Sequence, residues 1–362
     1  MKIGFVIPTK DRPDELLRTI SSFESLDRSV LGDCPCIVVV DNASHDPVEL
    51  ACTTRNGIAI QQIRLERNAG ASARNIGVSA LDADWVVMLD DDSQLQQCDL
   101  AHVLDAIPSD VAAVGGEIFL PDGSREAGGL PEVVIGCGCV VRRDLFLEVG
   151  GYDAAFDYYV EEYDLCARLI QQGYKVIHTH SLRFLHRKVQ TGRAFDRILH
   201  RLVRNNAWVI QRYAPHSCRD SAMKQMLRRY ELIATKENVS SAFQLACDEI
   251  EETLSHQPSR EMTPIQWDRL IGVEAVRQHL LPLLSDNNII DVRVVTPGKG
   301  YEEVCELLRA HGYQITSKSS ATSVIGTLSP GPLQDAYEAS HGSSIKPWPC
   351  FESAVALDGS VV

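Results

Sequence analysis

The sequence predicts an α/β layer fold over its first half, then a helical stretch, then a small α/β unit. Three observations carry this. Short apolar runs bounded by turn residues alternate with amphipathic stretches up to about residue 180. Residues 195–285 show helical spacing throughout. Beyond Ser285-Asp286-Asn287-Asn288 the strand and helix patterns resume. The units expected are therefore 1–194, 195–285 and 286–362.

Residues 3–7 form the first buried strand, which runs into Pro8. Residues 14–23 are helical, with Leu16, Leu17, Ile20 and Phe23 on one face and Pro13 near the start. A second strand, 36–40, ends at Asp41-Asn42-Ala43-Ser44, and 58–65 form a third. A helix at 71–81 leads to the strand beginning at Trp85, which ends in Asp90-Asp91-Asp92. Every strand end so far carries polar residues, so one binding edge is expected from several loops. Gly115-Gly116, Gly128-Gly129 and Gly136-Cys137-Gly138 mark turns or close backbone approach. Residues 160–172 are helical, end at Gly173 and lead to a strand at 175–178.

Beyond this point Ile198, Leu199, Leu202, Val203, Val209, Ile210 and Tyr213 make an apolar stripe, with Arg197, Arg201, Arg204 and Arg212 between them. Such a helix packs on its own domain with solvated arginines, or lies on an anionic membrane surface; the first reading is preferred. In the last unit, 289–295 and 324–327 read as strands and 301–311 as a helix. Its Pro297-Gly298-Lys299-Gly300 segment is an ordinary turn, because the phosphate-loop and dinucleotide fingerprints are absent.

The formal net charge of −14 argues against a nucleic-acid partner, since phosphate backbones select clustered Lys and Arg. No apolar run is long enough to cross a bilayer, and Pro8 breaks the first one too early for a signal peptide. Eleven cysteines without disulfide-type spacing fit a reducing cytoplasm. A cytoplasmic protein is expected, with room for peripheral contact at the inner membrane face. Cys34/Cys36 and Cys137/Cys139 are each one residue apart, so each pair should share a strand face. Zinc sites space their cysteines more widely; core packing is preferred over a site with His178 and His180.

Three adjacent carboxylates after a buried strand repel one another, and a hard divalent ion carrying phosphate would hold them together. Around them stand Pro8-Thr9-Lys10-Asp11-Arg12-Pro13, Asp41-Asn42-Ala43-Ser44 and Asn68-Ala69-Gly70-Ala71-Ser72-Ala73-Arg74-Asn75-Ile76-Gly77. Gly150-Gly151-Tyr152-Asp153 and Glu161-Glu162-Tyr163-Asp164-Leu165-Cys166-Ala167-Arg168-Leu169 follow. In this order and spacing, over roughly residues 1–215, the chain resembles the inverting family 2 glycosyltransferases of the GT-A fold. The resemblance implies a Rossmann-like mixed sheet with helices on both faces.

It also implies roles. Pro8, Thr9, Arg12, Asp41, Asn68, Arg74, Asp90 and Asp91 would hold the donor nucleotide, with Asp91 in support. Asp92 and His186 would bind Mn2+ or Mg2+. Glu162 would be the base, although relatives usually carry aspartate there, and Asp164 is the reserve candidate. Glu161, Gly138 and Trp208 would lie on the acceptor and sugar side. The implied reaction is single displacement of a hexose from a UDP- or dTDP-sugar to a glycan, lipid-linked, natural-product or protein acceptor. Two other readings were weighed. A sugar-nucleotide nucleotidyltransferase shares the broad fold, but its Gly-x-Gly-x-Arg loop is absent after the first strand. A catalytically weak carbohydrate-binding protein is suggested by Glu162 in place of aspartate. The last unit is expected to be an accessory domain of unknown role.

Overall fold

Apolar alternation in the central strands decides how the main sheet is layered. In β1 (Lys2–Thr9), Ile3, Phe5 and Ile7 join one buried cluster and Val6 the other. Residues Ile37 and Val39 of β2 (Asp33–Asp41) face with the first set, Val38 and Val40 with the second. Trp85 and Val87 of β4 (Trp85–Met88) divide from Val86 and Met88 in the same way. Two-residue periodicity therefore buries both faces of the sheet and calls for helices on each.

In the computed structural model, residues 1–188 and 194–351 are described. Residues 352–362 of the third expected unit lie outside the described residues, as do 189–193, which end beside the first expected boundary. The main sheet also contains β3 (Ala59–Arg64), β5 (Ser93–Leu95), β6 (Val111–Phe119), β7 (Cys139–Arg142) and β8 (Lys175–His186). Its order is β3-β2-β1-β4-β7-β6-β8-β5. Strands β3, β2, β1 and β4 are parallel, β7 is antiparallel to both neighbours, and β5 is antiparallel to β8. This is the mixed α/β sheet expected.

Helices α1 (Pro13–Ser22) and α3 (Leu100–Asp105) cover one face. Helices α2 (Ala73–Ala80), α4 (Arg143–Glu148) and α5 (Glu161–Gln171) cover the other. Leu16 and Ile20 of α1 are buried as expected, whereas Leu17 is exposed, one step off the apolar stripe. The strand expected at 175–178 runs on to His186. Its second half pairs with β5, so that Ser93 stands opposite His186.

The helical extension comprises α6 (Phe195–Tyr213), α7 (His216–Lys236), α8 (Ser240–Thr253), α9 (Pro264–Leu270) and α10 (Val273–Asp286). Three of the four stripe arginines are engaged rather than solvated, and Arg197 is exposed as expected. Arg201 pairs with Asp157, Arg204 with Glu249 at 2.9 Å, and Arg212 is buried against Asp153 at 2.7 Å. Among the described residues no helix is long and apolar enough to cross a membrane. The last unit is a parallel sheet of β9 (Asp291–Val295), β10 (Gln314–Ile315) and β11 (Thr322–Ile325), with α11 (Tyr301–Ala310) and α12 (Pro330–Ala339). It meets the main sheet's loops through Arg125, which pairs with Asp335 at 2.6 Å and Glu338 at 2.8 Å.

Asp164 ties α5 to α6 and is fully buried. Its Oδ2 accepts from Arg168 at 2.7 and 3.0 Å; its Oδ1 accepts from Arg212 at 2.9 Å and the Tyr213 hydroxyl at 2.7 Å. Both oxygens are thus committed inside the fold, which removes Asp164 from the acceptor-facing role it held in reserve. Asp164→Ala strands the buried Arg168 guanidinium without a carboxylate, leaves Arg212 only Asp153, and should cost about 3–5 kcal/mol. Tyr213→Phe removes one hydrogen bond and should cost about 1 kcal/mol. Denaturant unfolding of both variants checks the ranking.

Candidate active site

Three adjacent parallel strands end together. Thr9 is the register partner of Asp41 across β1 and β2, and β4 runs out at Met88 opposite Val6, releasing Leu89 and the aspartates. Polar ends of parallel strands form the crevice in which such sheets bind ligands. A shallow open cleft lies there, lined by Thr9, Arg12, Asp41 and Ser44 among others. Asp41 is buried; its Oδ1 accepts from the Ser44 backbone at 2.8 Å. Its Oδ2 has no hydrogen-bond partner among the described residues and lies 3.8 Å from the Arg64 guanidinium. Such an oxygen suits a donor from a base or ribose. Pro8 sits just inside this edge, opposite Val40.

The three aspartates have different environments. Asp91 is buried, accepts from Thr9 Oγ1 at 2.8 Å and pairs with Arg12. Thr9 and Asp91 therefore brace the edge, and their side chains point at each other rather than at a ligand. Asp92 is fully buried, with Oδ2 3.1 Å from Arg12 and Oδ1 3.4 Å from His186 Nε2. The two expected metal residues are thus brought together. Asp90 is one-third exposed and pairs with the buried Arg74. Arg74 was expected to face donor phosphate; here its guanidinium lies among Asp90, Glu161 and Glu162, all of which act on its charge.

His186 is held on both ring nitrogens. Nδ1 lies 2.8 Å from Glu126, itself paired with Lys188 at 2.7 Å, and 3.7 Å from Cys137 Sγ. Burial alone would lower its pKa, but hydrogen bonds with Asp92, Cys137 and Glu126 carry it up to about 12. Ligand-type atoms of Asp90, Cys137 and His186 all lie within 4.8 Å of one another. Carboxylate and imidazole donors fit a divalent cation. Cys137 was not expected here. The strand begins only at Cys139; Cys137 lies in a turn closed by Gly138 N–H to Ile135 O at 3.2 Å. Hence Cys137 and Cys139 fall in different apolar clusters instead of sharing a face. His178 is buried and His180 is exposed, so the weighed zinc grouping does not form.

Facing this edge is the start of α5. Glu161 is buried, and its Oε2 has no hydrogen-bond partner among the described residues. Burial and the neighbouring Glu162 push its pKa well up. Burial also raises Glu162, whose Oε1 accepts from the Gly136 backbone at 3.0 Å. The loop before α5 carries Asp157, Tyr159 and Val160 at φ of 60°, 70° and 71°. For β-branched Val160 this is strained, and the fold must impose it. The imposing group is Asn205 of α6, fully buried, whose Nδ2 reaches the carbonyls of Phe156, Tyr158 and Tyr159 at 2.7–3.0 Å.

Other expected residues fall outside the chemistry. Asn68 is exposed, and its Oδ1 accepts from Gly70 N at 2.9 Å, turning the loop. A Cβ on Gly138 would meet Ile118 at 2.6 Å, so glycine is needed there for packing. Trp208 is buried, edge-on to Phe156 at 5.9 Å, with its indole N–H on Thr253 at 3.0 Å; it is a core residue and not a sugar platform. Asn42 was passed over, yet it joins two loops of the edge, accepting from Ala69 N at 2.7 Å and donating to Gly70 O at 3.1 Å. Its place directly after Asp41 was the available signal.

Residues 5–149 match the family model described as glycosyl transferase family 2. A pre-mycofactocin glycosyltransferase of Mycobacterium tuberculosis (strain CDC 1551 / Oshkosh) is 29% identical over 196 residues, which are 47% of this chain and 39% of that protein. An uncharacterized glycosyltransferase of Haemophilus influenzae is 23% identical over 198 residues, 47% of this chain and 62% of that one. The crystal structure of GalNAc-T7 with UDP, GalNAc and Mn2+ has a TM-score of 0.48 at 15% identity, covering 71% of this chain and 58% of that one. The chain thus matches about two-fifths of the length of the mycobacterial relative. Over residues 5–149, about two-fifths of its length, the chain is thus similar to glycosyl transferase family 2.

The buried Glu161 yields a test independent of activity. A carboxyl whose pKa rises on folding adds stability that is complete below its unfolded value and is lost as pH climbs through the native one. Glu161→Gln keeps the shape without the titration. It should be more stable than the parent at pH 8, with the difference shrinking towards about pH 4. Melting temperatures across that range check this; a constant difference would refute the assignment.

Proposed function

We propose that the chain is a metal-dependent inverting glycosyltransferase that moves a hexose from a UDP- or dTDP-sugar to an acceptor nucleophile by single displacement. The observation that carries this reading is Arg74: one buried guanidinium lies against Asp90 on the donor side and the Glu161–Glu162 pair on the other. In this reading Arg74 would hold the donor edge and the base about a common centre.

In this reading the cleft beside Asp41 takes the nucleoside, with Asp41 Oδ2 accepting from its base or sugar. Arg12 keeps Asp91 and Asp92 in place beneath the diphosphate. Asp90, Asp92 and His186 would hold Mn2+ or Mg2+, which when bound neutralises charge on the departing diphosphate. Glu162 takes the acceptor's proton as that group attacks the anomeric carbon. Its raised pKa makes it a stronger base than an ordinary carboxylate. The acceptor would be a glycan, a lipid-linked sugar, a natural product or a protein, and the reaction would take place in the cytoplasm.

The direct experiment is a calorimetric screen of nucleotide sugars with Mn2+. UDP- or dTDP-hexoses should bind in Mn2+ and lose affinity on chelation; binding that ignores the chelator would remove the metal from the proposal. Asp92→Ala should abolish the metal-dependent part.

Glu162→Gln should lower kcat by about 10²–10⁴-fold with donor affinity unchanged. The acid limb of the parent's rate profile should lie above the ordinary carboxylate range, since activity is lost as Glu162 takes up a proton. Full transfer by Glu162→Gln would mean that Glu162 is not the base.

A further inference from the structure

The thiol of Cys137 stands where a site of oxygen and imidazole ligands does not require one. Two ligands of one ion, at bonds of about 2.0–2.3 Å, are at most about 4.6 Å apart. The ligand atoms of Asp90, Cys137 and His186 lie within 4.8 Å of one another, so they occupy that sphere with little adjustment.

The position is built. Glycines flank Cys137, and Gly138 is pressed so close to Ile118 that a Cβ would come within 2.6 Å of it. The turn at Gly138 N–H to Ile135 O directs Sγ to 3.7 Å from His186 Nδ1. His186 is backed by Glu126 at 2.8 Å, and Asp92 stands at its other nitrogen. Asp90 is one-third exposed and leaves the side towards the cleft accessible. Cys137 is buried in one apolar cluster with its sulfur turned to a ring nitrogen, whereas Cys139, two residues on, is fully buried in the opposite cluster.

We propose that Cys137 is a ligand of the divalent cation in this site, together with Asp90 and His186, and that it biases the site from Mg2+ towards softer ions such as Co2+ and Cd2+. This rests on the reading of the pocket as a cation site. Thiolate is the softest donor present, and it selects softer ions than carboxylate and water do. As the sulfur–metal bond forms, the S–H bond breaks and one proton passes to solvent.

The full chain is titrated with Cd2+, following the ultraviolet thiolate-to-cadmium absorption, and with Mn2+, following its paramagnetic resonance. The parent should develop the absorption with one ion bound. Cys137→Ser should lose it, with Cd2+ affinity lower by about 10- to 100-fold, the scale of disturbing a metal site's support. Cys98→Ser, away from the cluster, should retain it. Persistence of the absorption in Cys137→Ser overturns the proposal. Mn2+ binding that is equal in parent and variant, with no thiolate absorption in either, also overturns it and leaves the cation site standing. A parent that binds no divalent ion removes the cation reading and this proposal with it. Should Cys137→Ser fail to fold, alkylation of Cys137 in the parent, mapped by mass spectrometry, decides. Cd2+ should slow it, and an unchanged rate refutes the assignment.

Discussion

Carboxylate crowding at one sheet edge is the constraint around which the catalytic half is arranged. Asp90, Asp91 and Asp92 follow directly on a buried strand, and a second acid pair, Glu161–Glu162, faces them. Uncompensated charges in such a place would cost several kcal/mol each. The fold meets that cost with three cations taken from distant parts of the chain: Arg12 from the first loop, Arg74 from α2 and His186 from the end of β8. Each comes from an element whose position the sheet order determines. The long β8, paired with β5, is what delivers His186 to Asp92.

The helical extension contributes to the same site without touching its ligands. The start of α5 follows a loop with three non-glycine residues at positive φ, a conformation costing on the order of 1–3 kcal/mol each. Asn205 supplies the opposing hydrogen bonds, and Arg204 fixes its amide by donating to Oδ1 at 2.9 Å. Below it, the Asp164–Arg168–Arg212 network joins the two helices. Residues that looked like an arginine-rich surface stripe are the fastening between extension and catalytic domain. From the far side, Lys299 of the last unit donates to the Tyr163 hydroxyl at 2.6 Å, one residue from Glu162. The turn containing Lys299 is therefore an ordinary turn in conformation and a contact with α5 in effect.

Local pattern sufficed for elements whose side-chain period is imposed by the sheet. β1, β2 and β4, the polar ends that they present, and the helix at 161–171 were all legible in the sequence. So was the meeting of Asp92 and His186, because the resemblance supplied a pairing that no local signal carries. What was not legible depends on direction rather than kind. Asp164 and Glu162 are both acids in the first turn of one helix, and only their angular positions separate a tie to α6 from a group bonded to the Gly136 backbone. Trp208 and Arg212 carry polar atoms that suggest solvent, but partners on other elements satisfy those atoms internally. Cys137 and Cys139 have the spacing of a shared strand face, and a turn ending at Gly138 cancels it.

The glutamate at residue 162 is matched to a glycine elsewhere in the chain. Relatives of the resembled family usually carry aspartate there, and glutamate extends the carboxylate by about 1.5 Å. In this chain the extra length carries Oε1 to the backbone N–H of Gly136 at 3.0 Å. A Cβ at residue 136 would lie 2.8 Å from that same oxygen, too close for the contact to survive unchanged. The longer acid and the absent side chain therefore fit each other, and the backbone bond fixes a group that would otherwise have one more rotatable torsion than aspartate. Because Gly136 immediately precedes Cys137, the turn that receives the proposed base also presents the thiol to His186. A single glycine-flanked turn thus couples the position of the acid that would accept a proton to that of the cluster that would hold the cation.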